Sequence, residues 1–415
     1  MRQALVRLHR WFGLAASVWL LGVCLSGTVI SFEHEIDAAL NPDLFRATAE
    51  GDVGRAVARA QVRYPDQAIR FVLLDYKLLG LVRVGMKDAG ERPREVFVDS
   101  GTGTVLGSRA QDENGLGRRA IVATVYRLHA EFLGGAALAW VLGLVALLWT
   151  IDHFVALGIA WTSRARWAES FRIRRGARGY KLHFDLHRAT ALWLWPVTLM
   201  LAVSGLSFLW PREVDRAVSL VSQVTPDYPD RAAGAPAPAP APRPSWSQAY
   251  ARFAALAAPE TVTSFSYNEK AGAWRARMHD PRDLSPNGMR IVWMANDGRV
   301  LDDRHETQGS AGDKALAWMF PLHSGTAFGL AGRVVIAATG LVVALMIVTG
   351  LLMWARKRRG RRTRAARHPD ALGAPAIRPA VAAGAAAQAA GPRWPGPRAV
   401  PRPDTSGGPR PAPRW

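Results

Sequence analysis

A chain of 415 residues with 53 Lys and Arg against 33 Asp and Glu carries a formal net charge of +20, a balance that first suggests nucleic acid as a partner. The placement of the charge excludes that reading, because residues 1–10 carry +3, residues 163–181 carry +6 and residues 355–415 carry +12, leaving the remainder close to neutral. A single cysteine, Cys24, excludes an intramolecular disulfide.

The predicted elements in chain order alternate between two solvents. Four apolar stretches, at 11–32, 134–161, 189–210 and 334–354, are each long enough to cross a bilayer, since about 20 apolar residues in a helix cover the hydrocarbon core. Lipid leaves no partner for a free backbone amide, so these spans are expected to be helices. The first follows Arg2, Arg7 and Arg10 as a secretory signal would, but its apolar run is long and lacks a small-residue cleavage site, so it is expected to remain as an anchor. Basic residues beside spans stay on the cytoplasmic side. The expected order is therefore a first span within 1–32, an outer domain over 33–130, a second span over 131–161 and a basic cytoplasmic loop over 162–186. A third span over 187–210, a second outer domain over 211–329, a fourth span over 330–355 and a disordered basic tail over 356–415 complete it. Both chain ends then face the cytoplasm, with residues 356–364 against anionic headgroups.

Each outer domain reads as one helix against a small antiparallel sheet. In the first, 53–62 has helical spacing and strand-like runs follow at 69–75, 79–86 and 95–99, with a Gly101-Thr102-Gly103 turn leading into 104–106. In the second, a helix over 247–256 precedes runs at 262–267, 273–278 and 289–294 and a turn at Asn296-Asp297-Gly298. The Gly101 turn lies between strands with no following helix, which is not the setting of a dinucleotide loop. Alternating Ala and Pro over 235–244 suggest a stiff linker.

The chain is internally duplicated. Leu8-His9-Arg10, Ser26-Gly27 and Asp37 recur at the same offsets as Leu186-His187-Arg188, Ser204-Gly205 and Asp215. Leu128-His129 before Gly134-Gly135 matches Leu322-His323 before Gly329 and Gly332. Two helices per half imply two copies in the same orientation, related by an axis along the membrane normal.

Four of the ten histidines follow this symmetry. His9 and His187 fall at the cytoplasmic ends of the first and third spans, and His129 and His323 at the outer ends of the second and fourth. Paired imidazoles on facing helices are a usual way for a bundle to hold a cofactor, and two axial histidines suit haem iron; the alternative is a polar helix end bonded to water and headgroups. Covalent attachment is excluded by the lack of a C-x-x-C-H motif. Gly27, Gly205, Gly143, Gly340 and Gly350 are candidates for the space a macrocycle needs. Arg10 and Arg188 follow the inner histidines, either to meet propionates or as ordinary interfacial arginines. His153, beside Asp152 inside the second span, either competes for the inner haem or forms a proton or quinol site with that aspartate; at about 1.5 Å per residue it stands about 36 Å along the helix from His129. His183 is an alternative ligand, half of a metal pair or a solvated loop residue, and His279, His305 and His368 read as surface residues.

The stretch Leu8-His9-Arg10-Trp11-Phe12-Gly13-Leu14, with Ser26-Gly27, Glu35-Ile36-Asp37 and Leu40-Asn41-Pro42, resembles the PepSY-associated transmembrane family, the iron-regulated membrane proteins. So do Asp185-Leu186-His187, Pro321-Leu322-His323-Ser324-Gly325 and the run from Phe328 to Arg333, and the resemblance spans about residues 1–360. Ala331 departs from the proline common before Gly-Arg, and Asp152-His153 interrupts a usually apolar helix. The resemblance implies an α-helical bacterial inner-membrane protein with two small α+β PepSY-like periplasmic domains, akin to siderophore-reductase-like members. The expectation is a b-type haem protein, with one or two haems on His9, His187, His129 and His323. It is expected to take electrons from a cytoplasmic or quinol donor and to reduce a ferric siderophore, with a homo-oligomer as a candidate assembly. Rival readings are a regulatory or peptide-binding protein without redox activity, and a siderophore or metal permease, against which only Pro196 marks a break within a span.

Overall fold

The computed structural model describes residues 1–112, 114–161, 163–231 and 241–367. The expected Ala/Pro linker up to residue 240, His368 and the expected disordered tail from 368 onward lie outside the described residues. Residues 1–360 form one compact unit and Arg361 begins a second.

The first half runs α1 (Arg2–Ile30), α2 (Glu33–Leu40), α3 (Val53–Arg63), then β1 (Ala68–Leu74), β2 (Leu81–Lys87), β3 (Pro93–Asp99) and β4 (Thr104–Ala110), followed by α4 (Ile121–Glu131) and α5 (Gly135–Ala160). After a short 3-10 segment at Arg164–Phe171, the second half runs α6 (Tyr180–Trp193), α7 (Trp195–Leu209), α8 (Pro211–Ser219), α9 (Tyr228–Arg231) and α10 (Trp246–Ala257). Then come β5 (Thr261–Asn268), β6 (Ala273–His279), β7 (Arg290–Met294) and β8 (Val300–His305), α11 (Ala311–Ala317), α12 (Met319–Ser324) and α13 (Gly329–Arg367).

Among the described residues, α1, α5 and α13 are long and apolar enough to cross a membrane, and α6 with α7 makes a fourth span if the bent pair is counted as one. Their outward faces carry large apolar side chains, such as Val18 at 68% exposure, Phe154 at 57% and Leu345 at 54%. Lipid accommodates such a surface and water does not. Inside the bundle, small residues let backbones approach. A Cβ on Gly340 would meet Thr28 Oγ1 at 2.5 Å and the Cys24 carbonyl at 2.8 Å, so this glycine brings α13 against α1. Gly143 admits the Trp210 ring in the same way, with a Cβ only 2.2 Å from its nitrogen. Neither glycine opens space for a macrocycle, contrary to the expectation for these two positions.

Three features depart from the sequence reading. The third span is not one helix: α6 and α7 meet at 67°. Pro196 has no amide to donate and disfavours helical geometry just before it, which breaks the helix at Leu194. Next, His129 and His323 do not lie on the spans. They sit on the short helices α4 and α12, cut from α5 and α13 by left-handed residues at Phe132, Leu133 and Gly135 in one half and Gly325 and Gly329 in the other. The 36 Å helical separation of His129 from His153 therefore does not apply. Finally, residues 361–367 continue as helix, not disorder, because arginine and alanine favour helix and the first proline arrives only at Pro369.

The two expected small domains are one sheet. Each half contributes a four-stranded meander, and the meanders join through β1 and β5 in the order β4-β3-β2-β1-β5-β6-β7-β8. The seam is antiparallel and short, pairing Phe71 with Ser266, Val72 with Phe265 and Leu73 with Ser264. α3 and α10 lie side by side on one face, where the Ser247 hydroxyl donates to the Gly54 carbonyl at 2.9 Å. Val57, Val72, Val84 and Val96 from the first half share one core with Phe253, Phe265, Trp274 and Val292 from the second. Each such side chain contributes about 1.5–3 kcal/mol on burial, so on this face the two halves close one core between them.

The opposite face of the first meander holds Leu44, Leu81 and Phe97 beside a buried ion network. Glu95 on β3, 1% exposed, accepts from Arg83 on β2 at 2.7 Å and from Arg109 on β4 at 2.9 Å, and Arg109 reaches Asp37 of α2 at 2.6 Å. Burial alone would raise the Glu95 pKa, but the two guanidiniums outweigh it and hold the carboxyl below its ordinary range. Because α2 follows α1 directly, this network fastens the sheet to the membrane helices.

Candidate functional site

The four duplicated histidines come together as two pairs. The His9 and His187 ring centres are 6.1 Å apart at an interplanar angle of 64°. The His129 and His323 rings repeat that arrangement, at 6.1 Å and 67°. His129 lies against Gly27 of α1, and residues 9 to 27 of a helix rise roughly 27 Å, so the pairs are separated by about the thickness of the hydrocarbon core.

Each ring is oriented through Nδ1. His129 Nδ1 is 2.9 Å from the Val23 carbonyl and His187 Nδ1 is 2.9 Å from the Met346 carbonyl. His9 Nδ1 is 2.8 Å from an Asp152 carboxylate oxygen. His323 Nδ1 is 2.7 Å from the Ser204 hydroxyl, which also lies 2.7 Å from the Met200 carbonyl. Carbonyls and a carboxylate can only accept, so His9, His129 and His187 donate from Nδ1 and carry their lone pair on Nε2, whereas the Ser204 hydroxyl can bond His323 Nδ1 in either direction. Among the described residues none of those four Nε2 atoms makes a hydrogen bond. Glycines set the rings: a Cβ on Gly27 would come within 2.9 Å of the His129 ring, and one on Gly350 within 3.3 Å of His187, while Gly205 leaves 3.8 Å to His323.

The remaining sequence candidates fall elsewhere. Asp152 and His153 do not form a joint site, because adjacent helix residues face different neighbours. Asp152 turns to His9, whereas His153 donates from Nδ1 to the Trp149 carbonyl at 2.7 Å and bonds Thr198 Oγ1 through Nε2 at 2.9 Å, leaving neither ring nitrogen free. His183 bonds the Gly179 carbonyl and stands 3.5 Å from Arg356. Arg188 donates to the Glu169 and Arg172 carbonyls at 3.2 and 3.0 Å, and Arg10 lies over the Trp11 ring. His279 and His305 are not simple surface residues, since both approach Asp283, whose side chain is 4% exposed, at 3.6 and 2.9 Å.

The sequence reading passed over the joint between bundle and sheet. His34 Nε2 meets the Asp75 carboxylate at 2.9 Å, linking α2 to the end of β1. Burial would raise the Asp75 pKa, but the His34 bond outweighs it and the pKa falls. Glu35 accepts from Arg333 of α13 at 2.7 Å and from Lys77 at 2.6 Å, and Arg333 above all holds its carboxyl well below the usual range. Glu35 was legible only as part of a family motif, and Arg333 only as the residue after Gly332.

Two imidazoles on opposite sides of one metal place their ring centres about 6.3 Å apart, taking about 2 Å for each metal–nitrogen bond; both pairs stand at 6.1 Å. Among the described residues no three His, Cys, Asp or Glu side chains converge on a metal position. Two imidazoles alone suit a metal that brings its other ligands with it, as haem iron does.

Fold and site together define a duplicated multi-pass membrane protein with a fused sheet domain and a histidine pair toward each end of its bundle. The chain belongs to the family described as the PepSY-associated TM region, whose model matches residues 6–357. Among curated proteins, none matches this chain.

Proposed function

We propose that this chain is a b-type haem protein of the bacterial inner membrane that passes electrons across the bilayer to a ferric complex, with ferric siderophore as the acceptor. The observation that carries the reading is the four duplicated histidines, each with Nδ1 anchored and Nε2 without a hydrogen bond, in two pairs of matching spacing. Haem b bound at each pair would supply a one-electron iron couple. His9 and His187 would hold the cytoplasmic group and His129 and His323 the periplasmic one. The Nδ1 partners keep the imidazoles aimed and basic. Electrons enter from a cytoplasmic or quinol donor at the first pair and leave at the second.

The orientation is supported by the basic excess in residues 1–10, 163–181 and 355–415. On this reading the sheet is the PepSY-like periplasmic portion, with one helix and four strands from each half, and His34–Asp75 and Glu35–Arg333 hold it to the bundle. Reduction weakens the hold of hard oxygen donors on iron, which releases the metal from its chelator.

Proteoliposomes with ferric siderophore trapped inside and a membrane-impermeant reductant outside test the proposal. The expected result is ferrous iron appearing inside at a rate that falls at least tenfold on His9→Ala or His323→Ala. Rates equal to protein-free vesicles overturn it.

A further inference from the structure

The two halves anchor their histidines differently at one position. Met346 lies as far after His323 as Asp152 lies after His129, so the two residues are duplicates. In the second half this position gives His187 a neutral backbone carbonyl, whereas in the first it gives His9 a carboxylate, bonded at 2.8 and 3.0 Å. Gly350 accounts for part of the difference. It lets the His187 ring lie close to α13, within 3.3 Å of where a Cβ would stand, and its duplicate in α5 is Ala156. Asp152 is 8% exposed, so its charge acts through a medium that screens it weakly. The other pair has only neutral partners on its Nδ1 atoms, the Val23 carbonyl and the Ser26 and Ser204 hydroxyls.

A carboxylate on the distal nitrogen of a ligating histidine raises the ligand's basicity and favours the more positive state of the metal. We infer that Asp152 is a positioning residue that sets the two haem sites at unequal potentials, making the His9–His187 site the lower of the two. The inference rests on the haem reading above and gives that relay a direction. One electron passing from the His9–His187 site to the His129–His323 site oxidises iron at the first and reduces it at the second, with no bond formed or broken, and the ordering makes the step downhill.

The test is a spectroelectrochemical titration of the full-length, haem-loaded protein, with the two sites assigned from His187→Ala and His323→Ala variants. Asp152→Asn keeps the size of the side chain and removes its charge. It should raise the potential of the His9–His187 site by the equivalent of about tenfold in its one-electron equilibrium, about 59 mV, and leave the other site unchanged. Asp152→Glu should stay within a few-fold of the native value. Equal native potentials, an unmoved His9–His187 site or a common shift of both sites overturns the inference while leaving the haem reading intact. If the Asn variant loses haem at that site alone, the Glu variant decides: a native potential supports the inference and a raised one overturns it. Native protein that binds no haem overturns the underlying reading as well.

Discussion

Replacing Glu95 with Gln removes one charge from a network that is closed to water on most sides. Glu95 is 1% exposed, and it balances Arg83 and Arg109, whose side chains are 25% and 8% exposed. Breaking a buried ion pair from one side costs about 3–5 kcal/mol because the partner charge is left unpaired. Arg109 retains Asp37 at 2.6 Å, and Arg83 has enough exposure to turn toward solvent, so the low end applies, about 3 kcal/mol. At about 2.1 cal/mol/K per residue, a cooperative unit spanning residues 1–360 loses about 1.3 °C in Tm per kcal/mol, so the substitution should lower the melting temperature by about 4 °C. Thermal unfolding of the detergent-solubilised protein, followed by tryptophan fluorescence, reads the shift. The pair Arg83→Met with Glu95→Leu removes both charges, leaves Arg109 with Asp37, and should recover at least half of the loss. A fall of under about 2 °C for Glu95→Gln would refute the argument that this network fastens the sheet.

Gly27→Ala should displace the His129 ring, since the new methyl would stand 2.9 Å from it, whereas Gly205→Ala meets His323 at an ordinary 3.8 Å. Bound haem per chain should therefore fall in the first variant and stay unchanged in the second. Gly340→Val should separate α13 from α1, because even a Cβ there lies 2.5 Å from Thr28 Oγ1; a loss of at least several degrees in Tm is expected, and a native Tm would contradict the packing. Glu35 has a folded pKa below its ordinary 4.5, so its ties to Arg333 and Lys77 contribute fully above pH 4.5 and are lost as the pH falls through the lower folded value. Glu35→Gln should accordingly lower Tm at neutral pH and flatten its decline at acid pH; a Tm–pH profile parallel to the native one would count against the tie.

The histidine pairs were legible because the duplication repeats His9 and Ser26-Gly27 at the spacing of His187 and Ser204-Gly205. The contact of Asp152 with His9 was not, since His153 is its neighbour in sequence while the helix turns the two toward different partners. The match of Asp152 with Met346 was available in the same repeat and would have pointed to His9. The strands were legible from alternation, yet nothing in Phe71-Val72-Leu73 or Ser264-Phe265-Ser266 distinguishes a free edge from a seam between halves. The expected spans over 131–161 and 330–355 began close to the breaks before α5 and α13, yet His129 and His323 were placed at the span ends and not on the separate helices α4 and α12. Phe132 and Leu133 gave no warning, being non-glycine residues held at positive φ, whereas Gly325 and Gly329 were visible.

The most direct measurement is the oxidised and dithionite-reduced optical spectrum of the purified protein, with pyridine haemochrome quantitation, for the native chain and single alanine variants of His9, His187, His129 and His323. The account predicts up to two b-type haems per chain, with each variant losing the haem of its own pair and retaining the other. A protein that stays colourless after expression with added haem, or four variants that all retain the native content, would contradict it.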